Sequence, residues 1–215
     1  NSGNCANIRA IDAVALGTSE GYPLEIVAAY EVCSNGGVYS EPFGITRIED
    51  RYGNILIEYY PRQKEILSEE TAFMMTDLMQ TVVDRGTGGS IRWKYNYYHP
   101  AAGKTGTTQG WTDAWFVGFS TQIAAGAWFG VDDPPVSLGN GADGTRAALP
   151  AWARFMKTAH DSLYYSKEEF QQPEKVKTFS ICQVSKEKPT PLCPLEKELF
   201  ILSTDPSRLC KIHRR

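Results

Sequence analysis

The sequence of residues 101–108 is Ala-Ala-Gly-Lys-Thr-Gly-Thr-Thr, and two apolar runs follow it at 114–120 and 123–131. The two runs are rich in aromatic and aliphatic residues, and only Thr121 and Gln122 separate them. This pattern predicts two adjacent antiparallel strands in a core sheet. Residues 101–108 are then expected to form a further strand at the edge of that sheet.

Such an edge strand can supply the groups that an acyl-transfer site needs. Side chains alternate along a strand, so Lys104 and Gly106 should share one face while Thr105 and Thr107 take the other. The lysine offers a cation for a substrate carboxylate, which the threonine hydroxyls can also bind, and a backbone N–H can stabilise a developing oxyanion. Gly106 has no side chain, so a substrate can approach the backbone closely there. The alternative interpretation is a plain edge strand with a solvated lysine.

Periodicity and turn residues predict further elements on both sides of this strand. The first upstream element is a short helix at 24–30, which Asn35-Gly36-Gly37 ends, and the second is a hairpin whose turn is 51–54. The third is a helix capped by Ser68, and its predicted buried residues are Ala72, Met75, Met79 and Val82. The glycines of residues 86–89 favour a flexible connection after that helix. Downstream, residues 149–156 resemble a closing amphipathic helix.

A series of short motifs also runs through roughly the first 157 residues in a definite order. They are Val14 to Glu20 (VALGTSE), Pro23-Leu24-Glu25, Ala28-Ala29-Tyr30, Asn35-Gly36-Gly37, Gly86-Thr87-Gly88, Gly103 to Thr108 (GKTGTT) and Asp113 to Gly118 (DAWFVG). In this order they resemble class A penicillin-binding proteins, whose K-T-G motif corresponds to Lys104-Thr105-Gly106. The resemblance implies an α+β fold of the serine β-lactamase and D,D-peptidase type, an antiparallel sheet flanked by helices, present here as a partial domain.

The resemblance also implies a function. The chain would be the C-terminal part of a D,D-transpeptidase domain, which cross-links peptidoglycan stem peptides through an acyl-serine intermediate and is acylated by β-lactam antibiotics. Lys104 would be catalytic, and Thr105, Gly106, Thr107 and Thr108 would bind substrate. A membrane anchor and a glycosyltransferase domain would precede the domain in the N-terminal remainder of the same protein. The domain would therefore lie in the periplasm or on the extracytoplasmic face of the inner membrane.

Ser2-Gly3-Asn4 resembles the second family motif, S-x-N. Ser2 would then take part in proton transfer to the leaving group, and Asn4 would hydrogen-bond the substrate backbone. A ragged terminus is the alternative. In the family a few tens of residues separate this motif from the Leu-Gly-Thr-Ser-Glu segment, whereas here only residues 5–15 intervene. A loop is therefore missing, or deleted, near residues 11–14.

The nucleophile of the family is the serine of an S-x-x-K motif upstream of S-x-N. The only match in this chain is Ser185-Lys186-Glu187-Lys188, which lies in a polar tail beyond the K-T-G strand and is rejected as the nucleophile. The chain alone is therefore expected to be inactive, because a covalent enzyme without its nucleophile loses the acyl pathway. Two alternatives remain open: a catalytically dead peptide-binding or scaffolding module, and a β-lactamase-like hydrolase.

The charge composition argues against one class of function, general nucleic-acid binding. With 22 Lys and Arg against 25 Asp and Glu, the net charge of −3 provides no positive excess for a general nucleic-acid binder.

We divide the chain into the transpeptidase part at 1–160 and a peripheral C-terminal appendage at 161–215, which is richer in Lys, Glu, Pro and Ser and only weakly periodic.

The five cysteines, at positions 5, 33, 182, 193 and 210, include no C-x-x-C pair, and the three histidines are scattered. This spacing argues against a zinc site, so neither a metal nor a cofactor is expected. Three of the cysteines lie within residues 182–215, where a disulfide in an oxidising compartment would stabilise a loop-rich tail. Five unbonded, buried cysteines are the alternative.

Overall fold

The computed structural model describes Asp12, Gly17 and residues 21–131 and 136–213. The helices are α1 (Pro23–Ser34), α2 (Glu69–Asp84), α3 (Ser90–Trp93) and α4 (Leu149–Leu163), the last preceded by a π-helical turn at Gly144–Ala148. The strands are β1 (Val38–Ser40), β2 (Arg47–Glu49), β3 (Ile55–Glu58), β4 (Gln63–Glu65), β5 (Ala102–Thr107), β6 (Asp113–Phe119), β7 (Ala124–Gly130), β8 (Val176–Cys182) and β9 (Leu195–Ile201).

The central sheet consists of three antiparallel strands in the order β5-β6-β7. The two apolar runs form β6 and β7, with Trp115 opposite Trp128, and β5 pairs with β6 from Ala102 opposite Phe119 to Thr107 opposite Ala114. The predicted hairpin and the predicted edge strand are therefore both confirmed among the described residues.

Helices cover both faces of this sheet. On one face, Phe116 of β6 packs with Trp152 of α4 and with Tyr97, and all three are buried. The indole Nε1 of Trp152 donates to the carbonyl oxygen of Ala125 at 3.0 Å, so the ring is fixed by a hydrogen bond as well as by packing. On the other face, Met79 of α2 packs against Ala102 and Phe119.

Helix α1 is longer than the predicted 24–30, and it ends where the sequence predicts. The N–H of Asn35 donates to the carbonyl of Glu31, and Gly36 and Gly37 adopt positive φ values of 61° and 94°. A Cβ atom on Gly37 would lie 2.1 Å from the carbonyl oxygen of Leu67. Glycine is therefore required there both for the backbone conformation and for the close approach of the segment before α2.

Helix α2 begins as predicted, because the side chain of Ser68 accepts a hydrogen bond from the N–H of Thr71. The predicted buried face is partly wrong. Met75 is exposed, and Val83 is fully buried where Val82 was expected. The reason is that α2 packs against both core clusters, with Met79 against Ala102 and Phe119 and Val83 in the cluster around Phe116 and Trp152. Its buried residues are therefore Ala72, Thr76, Met79 and Val83, at spacings of four, three and four residues.

The glycine-rich connection after α2, which the sequence predicts to be flexible, forms a hydrogen-bonded turn. The N–H of Gly88 donates to the carbonyl of Val82 at 2.9 Å, and Gly89 donates to Gly86. A Cβ on Gly86 would lie 2.9 Å from the Cα of Val82. The glycines here permit close packing of the chain against the end of α2.

Residues between α1 and α2 form two small two-stranded sheets outside the central sheet. Strands β2 and β3 pair around the predicted turn, in which the carboxylate of Asp50 accepts hydrogen bonds from the backbone of Tyr52 and Asn54. Strands β1 and β4 form the second pair. Beyond α4, strands β8 and β9 form a two-stranded sheet, so part of the segment that was predicted to be weakly periodic has regular structure.

Candidate active site

The K-T-G segment lies in the half of β5 that is open to solvent. Ala102 and Gly103, at the start of the strand, are buried, whereas Lys104 and Thr107 are exposed. The first half is covered because Met79 of α2 packs against Ala102. No strand among the described residues pairs with the outer side of residues 104–107, so they present one free strand edge there, as the sequence predicts.

The register fixes the direction of the side chains and of the backbone groups. Lys104 and Gly106 lie opposite Val117 and Trp115, and Thr105 and Thr107 lie opposite Phe116 and Ala114, so the predicted alternation holds. The N–H of Thr108 donates to the carbonyl of Asp113 in the adjacent strand. Since backbone groups alternate along an antiparallel strand, the N–H of Thr107 points away from β6, toward the open edge.

The side chain of Lys104 remains at this edge. Its Nζ donates to the carbonyl oxygen of Thr105 at 2.8 Å, and none of the ion pairs among the described residues involves it. An exposed ammonium group held beside the strand is a suitable partner for an incoming carboxylate.

Thr105 contacts the turn that follows α2. Its hydroxyl lies 3.0 Å from the hydroxyl of Thr87. Arg92 holds the same region together, since its guanidinium bonds the carboxylate of Asp84 and the carbonyl oxygen of His99. The motif Gly86-Thr87-Gly88 therefore places a second hydroxyl at the edge. Sequence reasoning used that motif only for the family resemblance and did not assign Thr87 to the site.

The end of the strand contacts the π-helical turn. The N–H of Gly144 donates to the hydroxyl of Thr107 at 3.0 Å, and a Cβ on Gly144 would lie 2.7 Å from the carbonyl oxygen of Gly106. Gly144 therefore packs directly against the K-T-G strand and donates a hydrogen bond to it, and no local motif indicates this contact. The hydroxyl of Thr108 accepts a hydrogen bond from the N–H of Asp113, so this side chain shapes the β5–β6 turn.

Two of the predicted site residues and one predicted junction fall on parts of the chain that the structure does not describe. Ser2 and Asn4, and the proposed junction near 11–14 apart from Asp12, lie outside the described residues. Two cavities, of about 450 and 250 Å³, lie between α1 and residues 121–124 or 168–171, and neither includes a residue of β5. Neither of these two cavities reaches the K-T-G edge.

Ser185 lies in the turn after β8, not at the start of a helix. Its hydroxyl accepts a hydrogen bond from the N–H of Glu187 at 3.3 Å, and Lys186 has a positive φ of 57°. The position of Ser185 in a turn, away from any helix start, supports its rejection as the nucleophile.

The sequence spacing of the cysteines and histidines argues against a metal site, but the fold brings four of them together within residues 172–213, the C-terminal module. The side-chain donor atoms of Cys182, Cys193, Cys210 and His213 all lie within 4.8 Å of one another. A hydrogen bond from Ser185, with further hydrogen bonds from His213, lowers the pKa of Cys210 to about 5, and the bond with Cys210 raises the pKa of His213. Sequence spacing missed the cluster because β8 and β9 bring together residues that are up to 31 positions apart.

Within the described residues, no helix has both the length and the apolar character that crossing a bilayer requires.

Comparison with known proteins finds matches over most of the chain. Residues 10–142 match the family model described as "Penicillin binding protein transpeptidase domain", and residues 172–215 match "Penicillin-binding protein 1A, C-terminal domain". Penicillin-binding protein 1A of Aquifex aeolicus is 40% identical over 167 residues, covering 78% of this chain and 22% of that protein. That of Clostridium tetani is 33% identical, with coverages of 92% and 25%. The chain thus spans about a quarter of the length of these relatives.

A solved structure shows the same fold. The crystal structure of penicillin-binding protein 1A from Haemophilus influenzae superimposes with a TM-score of 0.86 at 27% identity, covering 95% of this chain and 35% of that one. The penicillin-binding protein PonA1 from Mycobacterium tuberculosis, at 24% identity and a TM-score of 0.61, shares the fold over 75% of this chain. The predicted α+β fold, an antiparallel sheet flanked by helices, is confirmed. On these grounds the chain belongs to the penicillin-binding protein transpeptidase family.

Proposed function

We propose that this chain is the C-terminal part of a D,D-transpeptidase domain and supplies the carboxylate-binding and oxyanion-binding side of its active site. The observation that carries the proposal is the open edge of β5, where the ammonium of Lys104 and the outward N–H of Thr107 lie on one accessible strand. A peptide or β-lactam that adds to this edge would place its carboxylate near Lys104 and its reacting carbonyl near the Thr107 N–H.

The reaction follows from these positions. A serine from an upstream S-x-x-K segment gives its hydroxyl proton to the lysine of that segment as its Oγ attacks the substrate carbonyl, and the negative charge moves to the carbonyl oxygen beside the Thr107 N–H. The tetrahedral intermediate collapses by breaking the C–N bond, and the departing nitrogen takes the same proton from the lysine by a route that includes Ser2. The acceptor amine of a second stem peptide then attacks the acyl carbonyl, the ester C–Oγ bond breaks, and the amine proton returns to the serine as the cross-link forms.

The hydroxyls have supporting roles in this proposal. Thr105 contacts Thr87 on one side, and Thr107 accepts from Gly144, so both hydroxyl oxygens are held in place before a substrate arrives. Preorganised donors avoid a reorganisation cost when charge develops. Gly106 leaves space for the substrate backbone, and Asn4 would hydrogen-bond that backbone.

The partners and the location follow from the same proposal. The substrates are peptidoglycan stem peptides, β-lactam antibiotics are the inhibitors, and the N-terminal remainder of the same protein provides the nucleophile, a glycosyltransferase domain and the membrane anchor. Because peptidoglycan is cross-linked outside the cytoplasmic membrane, the domain would act in the periplasm or on the extracytoplasmic face of the inner membrane.

The experiment is the intact mass of the chain after incubation with penicillin, with and without the encoded upstream segment. One penicillin adduct only when the upstream segment is present supports the proposal. An adduct on the chain alone would show that a serine within residues 1–215 reacts, and no adduct in either protein would favour a catalytically dead peptide-binding module. Slow release of the bound penicillin separates a transpeptidase from a β-lactamase-like hydrolase.

A charge variant tests the role of Lys104 in the longer protein. Lys104→Gln should slow acylation roughly 10- to 100-fold, since a hydrogen bond to a charged group contributes about 1.5–3 kcal/mol. The matched control is Lys177→Gln, which removes the same charge from an exposed position in β8. Equal acylation rates for the two variants would remove Lys104 from the site.

A further inference from the structure

The C-terminal module brings four metal-binding side chains to one point. Cys182 is the last residue of β8, Cys193 precedes β9, and Cys210 and His213 lie near the C-terminus. The backbone holds these segments together: the N–H of Cys182 donates to Glu187, and the N–H of Cys210 donates to Lys188, each at 2.9 Å. The convergence is therefore produced by the fold of the module.

The distances match a tetrahedral zinc site. The Sγ atoms of Cys182 and Cys210 are 3.6 Å apart, and the Nδ1 of His213 lies 3.4 Å from the first and 3.5 Å from the second. Zinc bonds of 2.3 Å to sulfur and about 2.05 Å to nitrogen give tetrahedron edges of about 3.8 Å between sulfurs and about 3.6 Å between sulfur and nitrogen. The Sγ of Cys193 completes the group, since all four donor atoms lie within 4.8 Å of one another.

Hydrogen bonds around the sulfurs are of the kind that supports thiolate ligands. The backbone of Val184 and Ser185 bonds the Cys182 sulfur, and the backbone of Ile212 and His213 bonds the Cys210 sulfur, in each case two and three residues further along the chain. In both turns the backbone N–H groups point at the cysteine sulfur, where they would stabilise a thiolate. Such contacts around a metal orient its ligands and stabilise their charge.

Thr190 makes hydrogen bonds near the other two candidate ligands, Cys193 and His213. Its N–H donates to the Cys193 sulfur at 3.2 Å, and its hydroxyl donates to the carbonyl oxygen of His213 at 2.8 Å. One residue therefore links the position of Cys193 to the segment that carries the histidine.

The module has little else to hold it together. Among residues 172–213, the buried hydrophobic residues besides Cys182 and Cys210 are Val176 and Ile181. Domains of about 40 residues usually need disulfides, a metal or a partner because their apolar core is too small. A metal that joins the end of β8, the start of β9 and the C-terminal segment would supply that stabilisation.

The donor set distinguishes a metal from a disulfide and selects the metal. A disulfide uses two sulfurs and leaves the third thiol and the imidazole without a role, whereas one tetrahedral ion uses all four groups. Three sulfurs and one nitrogen suit Zn²⁺, while Ca²⁺ and Mg²⁺ prefer oxygen ligands. With four protein ligands no position is left for water, which is the arrangement of structural zinc sites.

We propose that Cys182, Cys193, Cys210 and His213 bind one structural Zn²⁺ ion that stabilises the C-terminal module. Binding converts three thiols to thiolates, and the released protons go to solvent, so zinc affinity falls as the pH is lowered. The site is independent of the K-T-G edge and of the proposed transpeptidase reaction.

Metal analysis of the purified chain tests the proposal. We expect one zinc per chain by mass spectrometry of the metal content, and loss of that zinc in Cys193→Ser and Cys210→Ser. Cys33→Ser is the matched control, because Cys33 lies in α1, away from the cluster, and this variant should retain one zinc. The proposal would be overturned in favour of a disulfide if the chain held no zinc and alkylation without reductant labelled two fewer thiols than alkylation with reductant.

Cobalt substitution keeps the test independent of whether the variants fold. The wild-type chain, stripped of metal under reducing conditions and titrated with Co²⁺, should show an intense thiolate-to-cobalt absorption and tetrahedral d–d bands that saturate at one equivalent. Addition of one equivalent of Zn²⁺ should abolish both signals. A weak octahedral spectrum, or no saturation, would contradict a site built from three thiolates and an imidazole.

Discussion

The hydroxyl oxygens of Thr87 and Thr105 lie 3.0 Å apart, which joins the turn after α2 to the strand that carries the K-T-G motif. The turn is itself fixed, since the N–H of Gly88 donates to the carbonyl of Val82. Two hydroxyls from separate elements therefore meet at the strand that also carries Lys104. Under the proposed function, a substrate carboxylate bound at this edge would have an ammonium group and a pair of preoriented hydroxyls within the same strand segment.

Removing the Thr87 hydroxyl should weaken this arrangement without unfolding the domain. In a protein that also carries the upstream S-x-x-K segment, Thr87→Val should slow acylation by a fluorescent penicillin roughly 3- to 10-fold, since a neutral hydrogen bond contributes about 0.5–1.5 kcal/mol. Thr87→Ser keeps the hydroxyl and should react at the wild-type rate. Equal rates for Val and Ser would show that Thr87 only fills space.

Gly144 should tolerate no side chain. A Cβ there would lie 2.3 Å from the carbonyl oxygen of Trp115, so the backbone of the π-helical turn or of β6 would have to move. We expect Gly144→Ala to lower the free energy of unfolding by roughly 1–3 kcal/mol, as overpacking does. The control is Gly44→Ala, since a Cβ at Gly44 meets no atom within 4 Å. Thermal unfolding of both variants, followed by circular dichroism, should separate them clearly.

The elements that the sequence predicts well are those whose signals are local. The apolar runs of β6 and β7, the Ser68 cap and the 51–54 turn each depend on neighbouring residues, and each is confirmed. The buried face of α2 was predicted only partly correctly, because Met75 stays exposed while Val83 is buried by packing in the core cluster around Phe116 and Trp152. Periodicity gives the width of an apolar stripe, and tertiary packing decides its direction.

The same distinction holds at the candidate site. Lys104 and Gly106 could be assigned from the motif, since a strand edge and its alternation follow from the local sequence. Gly144 could not, because its role depends on contact with Thr107, 37 positions away. The Cys182 and Cys210 cluster was missed for the same reason, since the strand pairing of the C-terminal module creates it.

Trp152 should be one of the main contributors to stability of the central domain. It is buried against Phe116 and Tyr97, with ring centroids 4.8 and 5.9 Å away, and its Nε1 is hydrogen-bonded to Ala125. Trp152→Ala should cost about 3–5 kcal/mol of unfolding free energy, because it leaves a cavity and an unpaired carbonyl. Phe155→Ala, three residues along the same helix at an exposed position, should cost about 1 kcal/mol or less. Chemical denaturation of the two variants tests the difference.

The pH dependence of stability should depend partly on His99. Burial, the neighbouring His160 ring and Lys167 lower the pKa of His99, and the carboxylate of Asp161 and the backbone of Ser166 only partly oppose this. The ring stacks on Tyr97 and lies 4.4 Å from the His160 ring, and its Nδ1 is buried with no hydrogen-bond partner among the described residues. The folded chain therefore favours neutral His99.

The sign of the effect follows from this lowered pKa. Above about pH 6.5, His99 is neutral in both the folded and the unfolded chain and contributes no pH dependence. Below that pH the unfolded chain takes up a proton more readily, so stability should fall until the lower folded-state pKa is reached. Thermal unfolding of wild type and His99→Gln between pH 8 and pH 5 measures this: the wild-type midpoint should fall more steeply below pH 6.5, while the difference between the two proteins stays constant above it. Parallel curves over the whole range would mean that His99 has the same pKa in the folded and unfolded chains.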